Sequence, residues 1–248
     1  MATPAAASLG PDAAHSPNAE DIRTTYWVML GVATLLIGAA LAAIAAAVAR
    51  FRETGDGEPR RLTAGRGAIA RVAAPLGALA VAIFVFGVVM TESARDVEPA
   101  SADQGAPLEI DVIGQQWLWR FEYPSEREDI ATVFSYNELV VPVGTTVILN
   151  IDSTDVLHRW FVPALGGQVE AVPGEISQTW FKADEEGVYP GRSTLLSGVS
   201  YPAMRSWVRA VPAAEYEAFV ERLADDIAEA QAEVQSAVGS AAAPEAGE

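Results

Sequence analysis

Few side chains in this sequence are able to hold a metal or move a proton. The 248 residues include no cysteine, two histidines and four methionines. Without thiols the chain forms no disulfide, no thiolate zinc site, no iron–sulfur cluster and no thiolate copper site. With only His15 and His158 available, a metal site of three or four side chains from this one chain is hard to build. Beyond His158 the C-terminal half offers no Ser–His–Asp set, and no Gly-rich phosphate loop is present. The run Asp184, Glu185, Glu186 reads as a solvated turn, and residue chemistry alone points to no enzyme class.

Charge and hydropathy place these residues. The net charge is −17, which argues against nucleic acid as a partner. An acidic surface keeps a domain soluble and is able to steer a basic protein toward it. The stretch Tyr26–Ala49 carries no charge, and neither does Val72–Thr91. About 20 apolar residues cross a bilayer as a helix, so both are expected to span, with helices at about 26–49 and 72–91. Tyr26 and Trp27 stand where an interfacial aromatic belt lies, and Pro75 is expected in the first turn of the second helix. The Arg-rich connection 50–71 faces the cytoplasm by the positive-inside rule. Both termini then face outward.

The remaining segments divide clearly. Residues 1–24 lack a secretory signal and read as a disordered external tail. Residues 94–106 form a polar linker. From 107 to 212 the apolar pattern has period two: Leu108, Ile110 and Val112, then Trp117, Trp119, Phe121 and Tyr123, then Val147, Leu149 and Ile151. Pro and Gly punctuate these runs, which is the pattern of a Greek-key sandwich or barrel. Tyr216, Phe219, Val220, Leu223 and Ile227 recur at helical spacing, giving an amphipathic helix over 213–237. Residues 238–248 are low in complexity and read as a disordered tail.

Three strings carry a resemblance. GQQWLWRFEYP at 114–124, STDVLHRWFVPALGGQVEAVPGE at 153–175 and TWFKADEEGVYPGRSTLLSG at 179–198 resemble segments of subunit II of haem-copper terminal oxidases, the family of cytochrome c oxidase and quinol oxidase subunit II. The similarity covers roughly residues 25–225. It implies a two-helix transmembrane hairpin plus an all-β, cupredoxin-like Greek-key sandwich, with the C-terminal amphipathic helix following. In that family two cysteines, two histidines, a methionine and one backbone carbonyl hold a dinuclear copper centre, on a loop of the form C-x-E-x-C-x-x-x-H-x-x-M. The matching positions here are Ser193, Leu195, Ser197, Tyr201 and Met204. Only His158 and Met204 remain as ligand types. Serine hydroxyls are hard donors that stay protonated near neutral pH, and they do not bridge two coppers as thiolates do. The resemblance therefore implies a variant that has lost its copper centre, with no catalytic residue and no metal in this chain. Trp117 matches the family's electron-relay tryptophan and is read as a vestige of it.

The loop is similar to that of the quinol oxidase branch, with serines at the two cysteine positions and an aromatic at the second histidine; His158 departs from it, and the stretch around 153–191 looks more like the cytochrome c branch. The resemblance implies a respiratory oxygen reductase that makes water and translocates protons. Haem and copper are expected in partner subunit I, with subunit III as a further partner in the bilayer of a bacterial plasma membrane. The donor to the complex is quinol, or a c-type cytochrome that docks on the acidic domain and bypasses the missing centre. A nitric oxide reductase with a copper-free subunit II, and a non-catalytic assembly protein, are the other readings. The family often has a glutamate near the start of helix 2 at the mouth of a proton path, where Ala68 stands here.

Overall fold

The computed structural model describes residues 10–51, 66–95 and 106–242, apart from 12, 126 and 128. It forms two units: residues 23–96 make one, and the other is built from residues up to 22 together with those from 97 onward. The connection 52–65, the linker 96–105, the first nine residues and the last six lie outside the described residues.

The first unit holds most of α1 (Pro17–Phe51) and α2 (Arg66–Arg95). Both are long and apolar enough to cross a membrane, and side chains such as Leu35, Leu41, Val81 and Phe84 are exposed. The charge-free runs underestimated both helices, because charged residues at the ends extend a helix beyond the hydrocarbon without entering it. Pro75 consequently lies inside α2 and not in its first turn, where it has no N–H to donate to the carbonyl four residues before it.

The second unit is a sandwich of two five-stranded sheets. One runs in the order β3 (Val133–Tyr136), β2 (Leu118–Tyr123), β1 (Leu108–Gln115), β5 (Thr146–Ser153), β8 (Ser177–Lys182). The other runs β4 (Glu138–Pro142), β10 (Arg205–Val211), β9 (Gly187–Ser193), β6 (His158–Phe161), β7 (Gln168–Ala171). Each sheet has one parallel contact, β1 with β5 and β4 with β10, as Greek-key crossovers require. The period-two residues of the sequence form the core: Ile110, Val112, Trp119, Phe121, Leu149 and Ile151 are all buried. Trp117 falls between β1 and β2 and is 37% exposed, outside that core.

Asn137, between β3 and β4, ties the two sheets together. Its φ of 60° is left-handed, a region asparagine enters more readily than most residues. Its N–H donates to the Trp119 carbonyl, and its side-chain oxygen accepts from the Trp119 N–H. Its own carbonyl accepts from Trp207 N–H in the opposite sheet.

The C-terminal helix α3 (Ala213–Ala242) lays Tyr216, Phe219, Val220, Leu223 and Ile227 on the sandwich. It continues beyond the expected 237, into the stretch read as a tail. At the other terminus, where a disordered tail was expected over 1–24, residues 15–18 are bonded to the sandwich. His15 N–H donates to Ala164 O, and Asp184 N–H donates to His15 O. Ser16 Oγ donates to Leu165 O, and Asn18 Nδ2 donates to Trp180 O at 2.6 Å. Ser16 caps α1 with Pro17 as its first residue, a sequence signal for a helix start nine residues before the charge-free run begins.

Beneath α3 a phenol closes a small network. Val140 N–H donates to Tyr123 Oη at 2.9 Å, Tyr123 lies 3.3 Å from Ser135 Oγ, and Ser135 donates to Glu138 O at 2.5 Å. Burial pushes the Tyr123 hydroxyl up to about 12 despite these bonds. A group raised on folding stabilises the fold fully below its unfolded value near 10 and loses that contribution as pH climbs through its folded value. The resistance of the detergent-solubilised chain to chemical unfolding is expected to fall between about pH 10 and 12. Tyr123→Phe is expected to cost about 1–3 kcal/mol at pH 7, because it orphans the Val140 amide, and to lessen that alkaline loss, of which the neighbouring Tyr216, also pushed up to about 12 by burial, keeps a share.

Candidate functional site

The β9–β10 connection, residues 194–204, carries most of the positions at which ligands are expected. β9 and β10 pair antiparallel, with Arg192 opposite Arg205, and one more bond, Ser193 N–H to Met204 O at 2.9 Å, closes the loop. Thr194 N–H donates to Arg159 O on β6, next to His158. Tyr201, Pro202 and Ala203 form a single 3-10 turn, which brings Met204 back into the core.

Within this frame His158, Met204, Ser193 and Ser197 are all buried, with His158 and Met204 completely so. Tyr201 and Leu195 are half-buried. The structure thus brings the remaining histidine, the remaining methionine and both serines to one end of the sandwich. His15 belongs to the N-terminal strap, where its Nδ1 lies 3.5 Å from Glu185. The run 184–186 is exposed, in keeping with a solvated turn.

His158 is oriented by a residue that the motif comparison passed over. Asp155 Oδ1 lies 2.9 Å from His158 Nε2, and Asp155 Oδ2 accepts from Gln116 N–H at 2.7 Å. Partial burial works against the Asp155 carboxylate. The hydrogen bonds from His158, Val156 N–H and Gln116 N–H outweigh it and hold its pKa below the usual value. In a neutral imidazole whose Nε2–H serves the carboxylate, Nδ1 is left as an acceptor. That Nδ1 has no partner among the described residues, nor do Ser193 Oγ and Ser197 Oγ. The only local signal for Asp155 was its place three residues before a histidine. Gly114 lets the ring approach: a Cβ there would stand 3.1 Å from His158 Cδ2 and 3.2 Å from Trp119 Cζ3.

Trp117 holds the loop from the other side. Its Nε1–H and the Gln116 side-chain amide both donate to Ser197 O, at 3.0 and 2.7 Å. Gly198, with φ of 109°, adopts a backbone that other residues rarely enter, and its bare Cα makes room for both side chains.

This donor set does not fit a dinuclear thiolate copper centre. The bridging positions carry hydroxyls, the second imidazole position carries a phenol, and one imidazole with one thioether is too few for a tight mononuclear site. Orientation of the single histidine by a carboxylate is the outer-shell arrangement that metal sites use, here without the ligands it would serve.

The model for the periplasmic domain of cytochrome c oxidase subunit II matches residues 108–211. Cytochrome c oxidase subunit 2 of Cereibacter sphaeroides is 30% identical over 210 residues, covering 71% of this chain and 67% of that protein. The subunit 2 of Alkalihalophilus pseudofirmus cytochrome c oxidase is 35% identical over 135 residues, 54% of this chain and 37% of that one. Ubiquinol oxidase subunit 2 of Acetobacter aceti is 37% identical over 117 residues, 47% of this chain and 36% of that one. The matches thus span from about a third to two thirds of these relatives' length. Among solved structures, the periplasmic domain of cytochrome oxidase subunit II from Bradyrhizobium japonicum is 28% identical, covers 52% of this chain and 99% of that one, and superposes with a TM-score of 0.44.

If the loop is the family's copper loop with its ligands exchanged, restoring them restores the metal. The triple variant Ser193→Cys, Ser197→Cys, Tyr201→His is expected to take up about two copper ions per chain with intense visible thiolate bands. The unaltered chain is expected to retain none through desalting. A folded triple variant that stays colourless would show that these positions do not converge as the motif requires.

Proposed function

The chain belongs to the subunit II family of haem-copper terminal oxidases, and we propose that it serves a respiratory oxygen reductase as a copper-free, non-catalytic subunit fed by quinol. The observation that carries this reading is the substitution of the ligand loop at Ser193, Leu195, Ser197 and Tyr201 within a loop that backbone and side-chain bonds keep closed. A loop in decay would be expected to lose its shape along with its ligands. This one retains the turn, the glycine and the Trp117 anchor.

Quinol is the donor that makes such a loop dispensable. It dissolves in the bilayer and delivers electrons directly to a haem, so no relay is needed on the aqueous face. In this reading haem and copper reside in partner subunit I, and subunit III completes the complex. The present chain anchors through α1 and α2 and covers the outer face of subunit I. The similarity to a ubiquinol oxidase subunit 2 supports the quinol assignment. Several of its relatives are cytochrome c oxidase subunits, which favours a second reading: a c-type cytochrome docks on the acidic domain and passes electrons by a copper-independent route.

The orientation follows from an even number of crossings. Two spans return the chain to its starting side, and the Arg-rich connection 50–71 (six arginines against three acids) favours the cytoplasm. The strap residues His15, Ser16 and Asn18 bond to the sandwich, which is what a shared external face for the N-terminus and the domain would produce. The protein is then a plasma-membrane subunit with its sandwich outside. Ala68, in the first turn of α2, gives this chain no carboxylate at that position for a proton path, and proton entry falls to subunit I.

Oxygen uptake by the purified complex discriminates between the donors. The quinol reading expects rapid uptake with a short-chain ubiquinol and none above background with reduced cytochrome c. Uptake with reduced cytochrome c alone would overturn it in favour of the second reading.

A further inference from the structure

A like-charged pair in the sandwich has no counter-charge among the described residues. The antiparallel register of β9 and β10 sets Arg192 directly opposite Arg205. Both are exposed on the same face of their sheet. Directly opposed side chains start about 5 Å apart at Cβ, and like charges in that position repel. The cost is unnecessary in a chain with 33 acidic residues against 16 basic ones. Other arginines of the sandwich use that excess: Arg120, Arg127, Arg159 and Arg209 each hold a carboxylate. Among the described residues Arg192 and Arg205 hold none. Glu185 lies against His15, 3.5 Å from its Nδ1.

The two arginines also share a concavity. They line a pocket of about 670 Å³ with His15, Tyr201, Pro163 and Pro190. The strap that carries His15 forms one wall, and its bonds to Ala164 and Asp184 hold that wall in place. The size is that of a small-molecule site, and the mixture of proline and aromatic walls with a few convergent polar groups is the usual make-up of one.

We propose that this pocket binds a phosphate monoester. Two adjacent guanidinium groups present two planar donor forks and a charge of +2, which a dianion with three terminal oxygens satisfies and a single carboxylate does not. The phenol of Tyr201 supplies a neutral donor at the edge, and the proline-lined remainder of the pocket accommodates the organic part of the ester. The ligand relieves the repulsion between the arginines, so occupancy and stability rise together. The source is a soluble phosphate ester or the headgroup of a phosphatidic acid, which offer the same chemistry. The site is independent of the electron donor and does not rest on the oxidase reading.

The full-length chain in phosphatidylcholine nanodiscs, at constant ionic strength in chloride, provides the test. Glycerol 3-phosphate titrated by calorimetry is expected to bind saturably, one per chain, and to raise the melting temperature. Arg192→Gln and Arg205→Gln are each expected to weaken that binding at least about tenfold. In phosphate-free buffer each variant is expected to melt no lower than the parent, because removing one arginine removes the repulsion. Repeating the titration in nanodiscs containing phosphatidic acid separates the sources. Suppressed binding of the soluble ester assigns the site to the lipid headgroup, and unchanged binding assigns it to a soluble ester; both support the proposal when they depend on the arginines. No saturable binding, equal binding by the variants, or variants that melt below the parent without phosphate would each overturn it.

Discussion

One backbone hydrogen bond, Ser193 N–H to Met204 O at 2.9 Å, closes the loop on which the chemistry of this family turns. In a copper-bearing relative a metal pair would cross-link the same loop from inside. Here the cross-links are supplied by the chain. The β9–β10 ladder sets both ends, the 3-10 turn at 201–203 reverses the direction, and Gln116 with Trp117 clamps the middle through Ser197 O. A buried histidine, a buried methionine and two buried serines lie on this frame of bonds made by the chain itself. His158 Nδ1, Ser193 Oγ and Ser197 Oγ are buried without partners among the described residues, and groups of that kind carry a desolvation cost.

That arrangement separates two properties that copper-bearing subunits combine. Shape is carried by the two sheets and their ties, such as Asn137 and the Tyr123 network, none of which involves a ligand. Electron transfer depends on thiolates, which cannot be replaced by hydroxyls without losing the centre. Trp117, at the position of the family's relay tryptophan, bonds the loop through its N–H.

Much of this was legible in the residues. Period two in Leu108–Val112 and in Trp119–Tyr123 gave the inner faces of β1 and β2, because alternation is the geometry of a half-buried strand. The spacing of Tyr216 to Ile227 gave the packed face of α3. The charge-free runs located α1 and α2 and missed their ends, since charge marks where hydrocarbon stops and not where a helix stops. The strap at 15–18 was missed although Ser16–Pro17 is a helix-start signal, because weak propensity and polar composition suggested disorder, and only long-range bonds to residues 164, 165, 180 and 184 order it. Asp155 and the Arg192–Arg205 pair were invisible for the same reason. Their meaning comes from residues brought near by the fold, and a motif scan compares neighbours in sequence.

The central claim is that this subunit carries no copper centre while retaining the loop that would hold one. The most direct measurement is copper and haem content of the purified oxidase complex, together with its paramagnetic resonance spectrum as isolated. The account predicts only the copper that partners haem in subunit I, and no signal from a mixed-valence copper pair. Two further copper ions per complex with such a signal would contradict it.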